Sequence, residues 1–250
     1  MFDSVQHFSQ FNLAVFVSGS GSNLQAIIDA VEYAVECKKN ENKDYELANV
    51  NIALVISDRE GAYALERAKK HNIKTAVIGK SETAVLFDTL KSHSIDGIVL
   101  AGYLSIMQPE IINAYENRII NIHPSLLPMF GGKGFYGLRV HQAVLASGVK
   151  FSGATAHIVD CGVDTGPALV RGVVPVLVDD AAETLQKRVL EIEHVVLVRA
   201  VKALVEDGIE ALIQKPITLI DDNDKEGVFQ FAKGLTTLGN ALTVEDKEER

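Results

Sequence analysis

Leu13-Ala14-Val15-Phe16-Val17 contains no polar side chain and runs straight into Ser18-Gly19-Ser20-Gly21-Ser22-Asn23. A strand without a polar position has to be covered on both faces, which is the situation inside a parallel sheet flanked by helices. Ser22 then opens a helical pattern, with Gln25 as its capping-box partner and Leu24, Ile27, Ile28, Val31 and Val35 along one stripe. The unit repeats. Strands are predicted at Val50 to Ser57, Lys74 to Ile78, Gly97 to Ala101 and Arg118 to Ile122, with helices at Tyr63 to His71 and Glu82 to His93. The alternation predicts an α/β fold, a doubly wound and mostly parallel sheet flanked by helices, Rossmann-like in its N-terminal half. The polar stretch Lys38 to Glu46 is a surface loop.

The rhythm breaks after Ile122. Pro124, Pro128 and Gly131-Gly132-Lys133-Gly134 cannot continue regular structure, so a long mobile loop is expected there. Beyond it come a helix at Val140 to Ser147 and strands at Lys150 to Val159 and Ala168 to Val178. A last helix begins after Asp180, where Glu183 completes a capping box and Leu185, Val189, Ile192 and Val196 repeat at helical spacing. Residues 207–242 carry no decisive pattern, and Glu245 to Arg250 is a frayed charged tail. The organisation is thus a short N-terminal extension (1–12), one folded domain (13–206) and a partly ordered C-terminal extension (207–250).

A formal net charge of -9 argues against nucleic acid or an anionic membrane as the main partner. Cys37 and Cys161 are too few for a disulfide framework or a four-thiolate zinc site, and the scattered histidines offer no metal spacing. No stretch of about 18 apolar residues occurs, and the N-terminus lacks a basic-then-apolar leader. A cytoplasmic protein without a metal is the expectation.

The Ser/Gly turn joins a buried strand to a helix N-terminus, so unpaired N–H groups and the positive end of the helix dipole converge where Gly19 and Gly21 let an anion approach. Ser20, Ser22 and Asn23 add side-chain donors. The plain alternative is a tight turn with Ser22 as a helix cap. A dinucleotide fingerprint also competes, with Asp58 as its ribose-binding acid, but Leu24 stands where its third glycine belongs. Asn121 and His123, two apart at a strand end, point to one face at the edge where parallel sheets carry their active sites. Asp164, in Gly162-Val163-Asp164-Thr165-Gly166, is either a third member of that group or a solvated turn former.

Asn121-Ile122-His123-Pro124-Ser125-Leu126-Leu127-Pro128 resembles the signature of the folate-dependent formyltransferases, and within them the glycinamide ribonucleotide formyltransferases. His157 followed by Asp164 is similar to that family's second catalytic segment. The Ser-Gly-Ser-Gly-Ser-Asn turn resembles its ribonucleotide phosphate site, Glu193-His194 its substrate-contacting helical pair, and Ala101-Gly102-Tyr103-Leu104 a wall of its folate pocket. Ser105 departs from the pattern, standing where the family often has a basic residue.

The resemblance implies a formyltransferase fold that moves the formyl group of 10-formyltetrahydrofolate, the co-substrate, to glycinamide ribonucleotide in purine biosynthesis. It implies Asn121, His123 and Asp164 as catalytic residues, with Asn121 and a protonated His123 as oxyanion donors and Asp164 keeping the His charged. Gly19, Ser20, Gly21, Ser22, Asn23 and Glu193 would take the ribonucleotide. Tyr103, Leu104, Met107, Asn121, Val159, Asp160 and Cys161 would take the folate. His157 and Ser125 would support the site, and Lys133, Phe135 and Tyr136 would lie on the mobile loop. His141 begins a helix near that loop, whereas His7, His71 and His93 are surface residues. Cys161 has no neighbouring base and is no nucleophile.

Three other readings remain open. A formyltetrahydrofolate hydrolase shares the catalytic core but has an extra N-terminal domain, and only twelve residues precede the first strand here. A methionyl-transfer-RNA formyltransferase would carry a basic C-terminal domain where this tail is acidic. A non-catalytic nucleotide-binding module explains the glycine turn but leaves the Asn, His and Asp unexplained. The partners expected are small molecules, and the chain acts as a monomer or homodimer.

Overall fold

Alternation along the first strand, β1 (Phe11–Val17), divides its side chains between two cores. Leu13, Val15 and Val17 enter the larger one, and Ala14 and Phe16 the smaller one on the opposite face. The computed structural model describes residues 10–39, 47–206 and 208–220. Following β1 are α1 (Ser22–Lys39), β2 (Val50–Ser57), α2 (Tyr63–Lys70), β3 (Thr75–Val77), α3 (Thr83–Ser92), β4 (Gly97–Leu100), α4 (Pro109–Ala114) and β5 (Ile119–His123). The second half holds α5 (Leu138–Ser147), β6 (Phe151–Ile158), β7 (Ala168–Pro175), α6 (Ala182–Val205), α7 (Ile209–Gln214) and β8 (Ile217–Ile220).

The strands form an eight-stranded sheet in the order β3-β2-β1-β4-β5-β6-β7-β8. β1 to β5 pair in parallel, β6 is antiparallel to both neighbours, and β8 runs parallel to β7. The expected doubly wound, mostly parallel α/β sheet is the observed one. From β1, inside the sheet, the chain winds outward to β3 and returns to β4. That reversal opens a crevice beyond the carboxyl ends of β1 and β4, where ligands of such sheets sit. Ser18 N–H donates to the Gly102 carbonyl and Leu104 N–H to Ser18 Oγ, at 3.2 and 2.8 Å, so the turns after these strands are tied together.

Helix α6 covers the larger face. Leu185, Val189, Val196 and Leu197 are fully buried, each contributing about 1.5–3 kcal/mol by removal from water. Close approach is possible because β7 has Gly172: a Cβ there would lie 2.2 Å from Ile192 Cγ1.

Two caps differ from expectation. Gln25 does not close a box with Ser22; its side chain bonds Asp29 and His71 and accepts from Arg67, because these neighbours reach its amide across the first turn. The last long helix starts later than its sequence suggests. Thr184 Oγ1, not Glu183, accepts the Ala181 N–H at 3.0 Å, while Asp180 is held by a bidentate Arg188 and the Leu177 N–H. The Arg188 bond outweighs the other influences and lowers the Asp180 pKa to about 2. Helices α4 and α7 and strand β8 were not predicted. Lys38 and Lys39 continue α1 instead of opening a loop, and His71 and His93 are half-buried. The first strand takes in Phe11 and Asn12. Readings that fall on residues 1–9 (His7 among them), 40–46, 207 and 221–250 lie outside the described residues. Among the described residues no helix is long and apolar enough to cross a membrane.

Candidate active site

Antiparallel pairing of β6 with β5 brings together residues far apart in sequence. Its register sets His157 opposite Asn121 and Thr155 opposite His123, and directly opposed residues share a face. The turn between β6 and β7 then returns Asp164, with φ of 58°, to the same place. His123 Nδ1 lies 3.4 Å from Asp164 Oδ2, and His157 Nε2 3.6 Å from Asp164 Oδ1. Asp164 Oδ2 also accepts the Gly132 N–H at 2.9 Å, which ties the glycine-rich loop to the carboxylate.

Tautomers follow from the partners. His157 Nδ1 is 2.9 Å from the Ile158 carbonyl and so donates to it. The lone pair of a neutral ring then sits at Nε2, where it accepts Asn121 Nδ2–H at 3.0 Å. This bond uses one amide hydrogen of Asn121 and leaves the other. His123 Nε2 donates to the Phe130 carbonyl at 2.9 Å, so a ring with a proton there turns Nδ1 toward Asp164.

The charge balance differs from the sequence expectation of a protonated His123. Burial, the largest influence, pushes its pKa down and the His157 ring adds to that; Asp164 and the Phe130 carbonyl push it up, and the net value is below the ordinary one. The physical reason is the position of the ring, 4% exposed behind the loop. For Asp164, burial pushes upward, yet the neighbouring His157 and His123 rings and the Gly132 N–H together hold the carboxyl below its usual range.

These groups border one cavity of about 610 Å³. Its walls include Tyr103, Leu104, Met107, Asn121, Val159, Asp160, Cys161 and Asp164 together with Ser20, Ser22, Asn23 and Glu193. The anion-suited turn and the Asn-His-Asp cluster therefore open into the same space. Glu193, on α6, is buried and takes a 2.7 Å hydrogen bond from Asn23 Nδ2. Burial raises its pKa to about 7, and the Asn23 bond offsets only part of that. Asn23 Oδ1 is buried without a donor among the described residues. Another cavity, about 590 Å³, lies near the amino ends of β1 and β2 beside Asn12, Asn51, His71 and His93. Those side chains are occupied with one another and with Ser94, Glu32 and Thr89.

Gly19, Gly21 and Ser125 do not line the cavity. Gly19 is exposed at the turn, while Gly21, with φ of 74°, packs against Ala64. Ser125 is fully buried; its Oγ donates to the Met129 carbonyl at 2.6 Å, and its own carbonyl accepts from Thr155 Oγ1 at 2.7 Å. Asp160 forms the turn through Gly162 N–H and Thr165 Oγ1, and Ser105 donates to Asp58 at 2.7 Å. Sequence reasoning missed the Phe130 carbonyl and the Gly132 N–H, main-chain groups that no side-chain pattern reveals. It also undervalued His141, 1% exposed on the cavity wall, with Nδ1 unpartnered and a pKa lowered to about 4 by burial and then by His123. The signal was available, because the apolar neighbours Val140 and Val144 mark its helix face as buried. Among the described residues no group of three His, Cys, Asp or Glu side chains is placed to hold a metal.

Comparison with known proteins gives a consistent picture. A family profile described as formyl transferase matches residues 11–201. A chloroplastic phosphoribosylglycinamide formyltransferase of Vigna unguiculata is 42% identical over 204 residues, covering 79% of this chain and 62% of that protein. This chain thus spans less than two thirds of that curated relative's length. Among solved structures, glycinamide ribonucleotide transformylase 1 from Symbiobacterium toebii superposes with a TM-score of 0.69 at 35% identity, covering 82% of this chain and 92% of that one. Phosphoribosylglycinamide formyltransferase from Anaplasma phagocytophilum gives a TM-score of 0.68 at 34% identity, with 79% and 88% covered.

Proposed function

The chain belongs to the formyl transferase family, and from that premise we propose that it transfers the formyl group of 10-formyltetrahydrofolate to the amine of glycinamide ribonucleotide, a step of purine biosynthesis. The observation that carries this reading is the shared cavity, in which an anion-suited turn and an amide, an imidazole and a carboxylate converge. Attack of an amine on a formamide carbon builds negative charge on oxygen and positive charge on nitrogen at once. Asn121 has an amide hydrogen left to donate to that oxygen. His123 supplies a second donor when the oxygen replaces the Phe130 carbonyl at Nε2, and the growing negative charge itself draws the His123 pKa upward. Asp164 balances the imidazolium and relays the amine's proton through water to the folate nitrogen, which leaves as its bond to the formyl carbon breaks.

In this reading the ribonucleotide phosphate lies on the turn from Gly19 to Asn23, with Glu193 beside the same molecule. The folate lies against Tyr103, Leu104, Met107 and the segment from Val159 to Cys161. Residues 13–206 form the catalytic unit. All these groups come from one chain, so the reaction needs no second subunit whether the enzyme works as a monomer or a homodimer. The reading sets the enzyme in the cytoplasm without a nucleic-acid partner.

The test is to incubate the protein with 10-formyltetrahydrofolate, with and without glycinamide ribonucleotide, and follow folate release optically. Release that depends on the ribonucleotide is expected. Release that ignores it points to water as the acceptor, and no release points to a binding module.

A further inference from the structure

Gly19 and Ser20 both turn their carbonyls toward α2. The Gly19 oxygen accepts the Ala64 N–H at 3.1 Å, and the Ser20 oxygen accepts Arg67 Nε–H at 2.9 Å. In a trans peptide the N–H points opposite to the C=O. Fixing these two carbonyls on the α2 side therefore aims the N–H groups of Ser20 and Gly21 the other way, and neither has a partner among the described residues. Successive N–H groups facing one point make an anion-binding concavity. A carbonyl swung into that space would repel the same anion.

We propose that Arg67 is a positioning residue for phosphate recognition, which holds the Ser20 peptide in the one orientation that presents its N–H neighbour to the substrate phosphate. The proposal rests on the phosphate role of the turn given above. Arg67 is itself fixed on two further sides. Its Nη1 donates to Gln25 Oε1 at 3.1 Å, linking it to the first turn of α1, and its guanidinium carbon lies 5.2 Å from the centroid of the Tyr63 ring. The Gly21 backbone leaves no slack on that side, because a Cβ there would come within 2.5 Å of Ala64 Cβ. The fork geometry matters as well as the charge: Nε and Nη1 serve the turn and the helix together, which an ammonium group on a flexible stem does not reproduce.

The test compares two acceptors, glycinamide ribonucleotide and the same molecule lacking its phosphate, with wild type, Arg67→Gln and Arg67→Lys. Wild type should prefer the phosphorylated acceptor strongly in kcat/KM. Loss of a charge-assisted hydrogen bond that orients the turn should raise the ribonucleotide KM of R67Q by roughly tenfold or more. Its kcat at saturation, the KM of the formyl donor and the kinetics of the dephosphorylated acceptor should change little. R67K should fall between R67Q and wild type, keeping the charge without the fork. Thermal melting of each variant reports whether the fold is intact, and R67K serves if R67Q does not fold.

The outcomes separate. A wild type that treats the two acceptors alike removes the phosphate role of the turn, and this proposal with it. A wild type that prefers the ribonucleotide, paired with variants that keep the full preference, overturns the role of Arg67 alone. Equal losses on both acceptors would also overturn it, since they mark a purely structural residue.

Discussion

Replacing Glu193 by Gln should change how stability depends on pH. The carboxyl is buried in α6 with Asn23 Nδ2 donating to it, and its pKa rises from an ordinary 4.5 to about 7 chiefly through burial. The native state therefore holds this proton more tightly than the unfolded chain. The resulting stabilisation is complete below pH 4.5 and is lost as the pH climbs through 7. At 1.36 kcal/mol for each pH unit, a displacement from 4.5 to about 7 corresponds to about 3 kcal/mol. The amide of Glu193→Gln stays neutral throughout and keeps an oxygen for the Asn23 bond. His123, His141, His194 and Asp164 titrate in both proteins and drop out of the difference to first order. Urea denaturation of the two proteins at fixed pH values from 4.5 to 8.5 gives that difference directly. The advantage of the Gln variant over wild type should widen with pH by about 3 kcal/mol. Parallel stability curves would refute the argument, because they would mean that the carboxyl is as well solvated in the native protein as in the unfolded chain.

Changing Asp164 to Asn should lower turnover about 10² to 10⁴-fold while changing the ribonucleotide KM far less, and comparable losses in both would show that the role is misassigned. The same change removes the carboxylate that raises the His123 pKa, so an NMR titration should find the imidazole titrating at still lower pH. Gly21→Ala has to adopt a φ of 74° and push against Ala64; a loss of about 1–2 kcal/mol from the backbone alone and a raised ribonucleotide KM are expected, by denaturation and steady-state assay. Gly172→Ala meets Ile192 and Val196 at 2.2 and 2.7 Å and should cost about 1–3 kcal/mol of stability, with the activity of the folded fraction nearly unchanged.

Legibility followed range. β1, β2 and the Ser/Gly turn were readable because their signals are local: uninterrupted apolar runs and a turn that only glycine fits. Proline at the first position of α4 with Glu110 behind it was a usable start signal that went unread, since the helix has only six residues. Strand β8 is short, and it gains its identity only by adding to the edge beside β7.

In the site, the side-chain types were in the sequence, and their partners were not. Asn121 and His123 could be set on one face from their spacing alone. That Asn121 donates to His157 depended on the antiparallel register of β6, and that His123 donates to the Phe130 carbonyl depended on how the loop folds back. The sequence by itself determined a parallel α/β sheet, its glycine turn and the chemical inventory at its carboxyl edge, because patterning and backbone sterics act within a few residues. Tertiary structure alone decided which atoms meet and which side chains lose water, and therefore why Glu193 holds its proton near pH 7 and His123 releases its own below the usual range. Desolvation and Coulomb interactions depend on distance in space, and a linear chain does not specify that until it is folded.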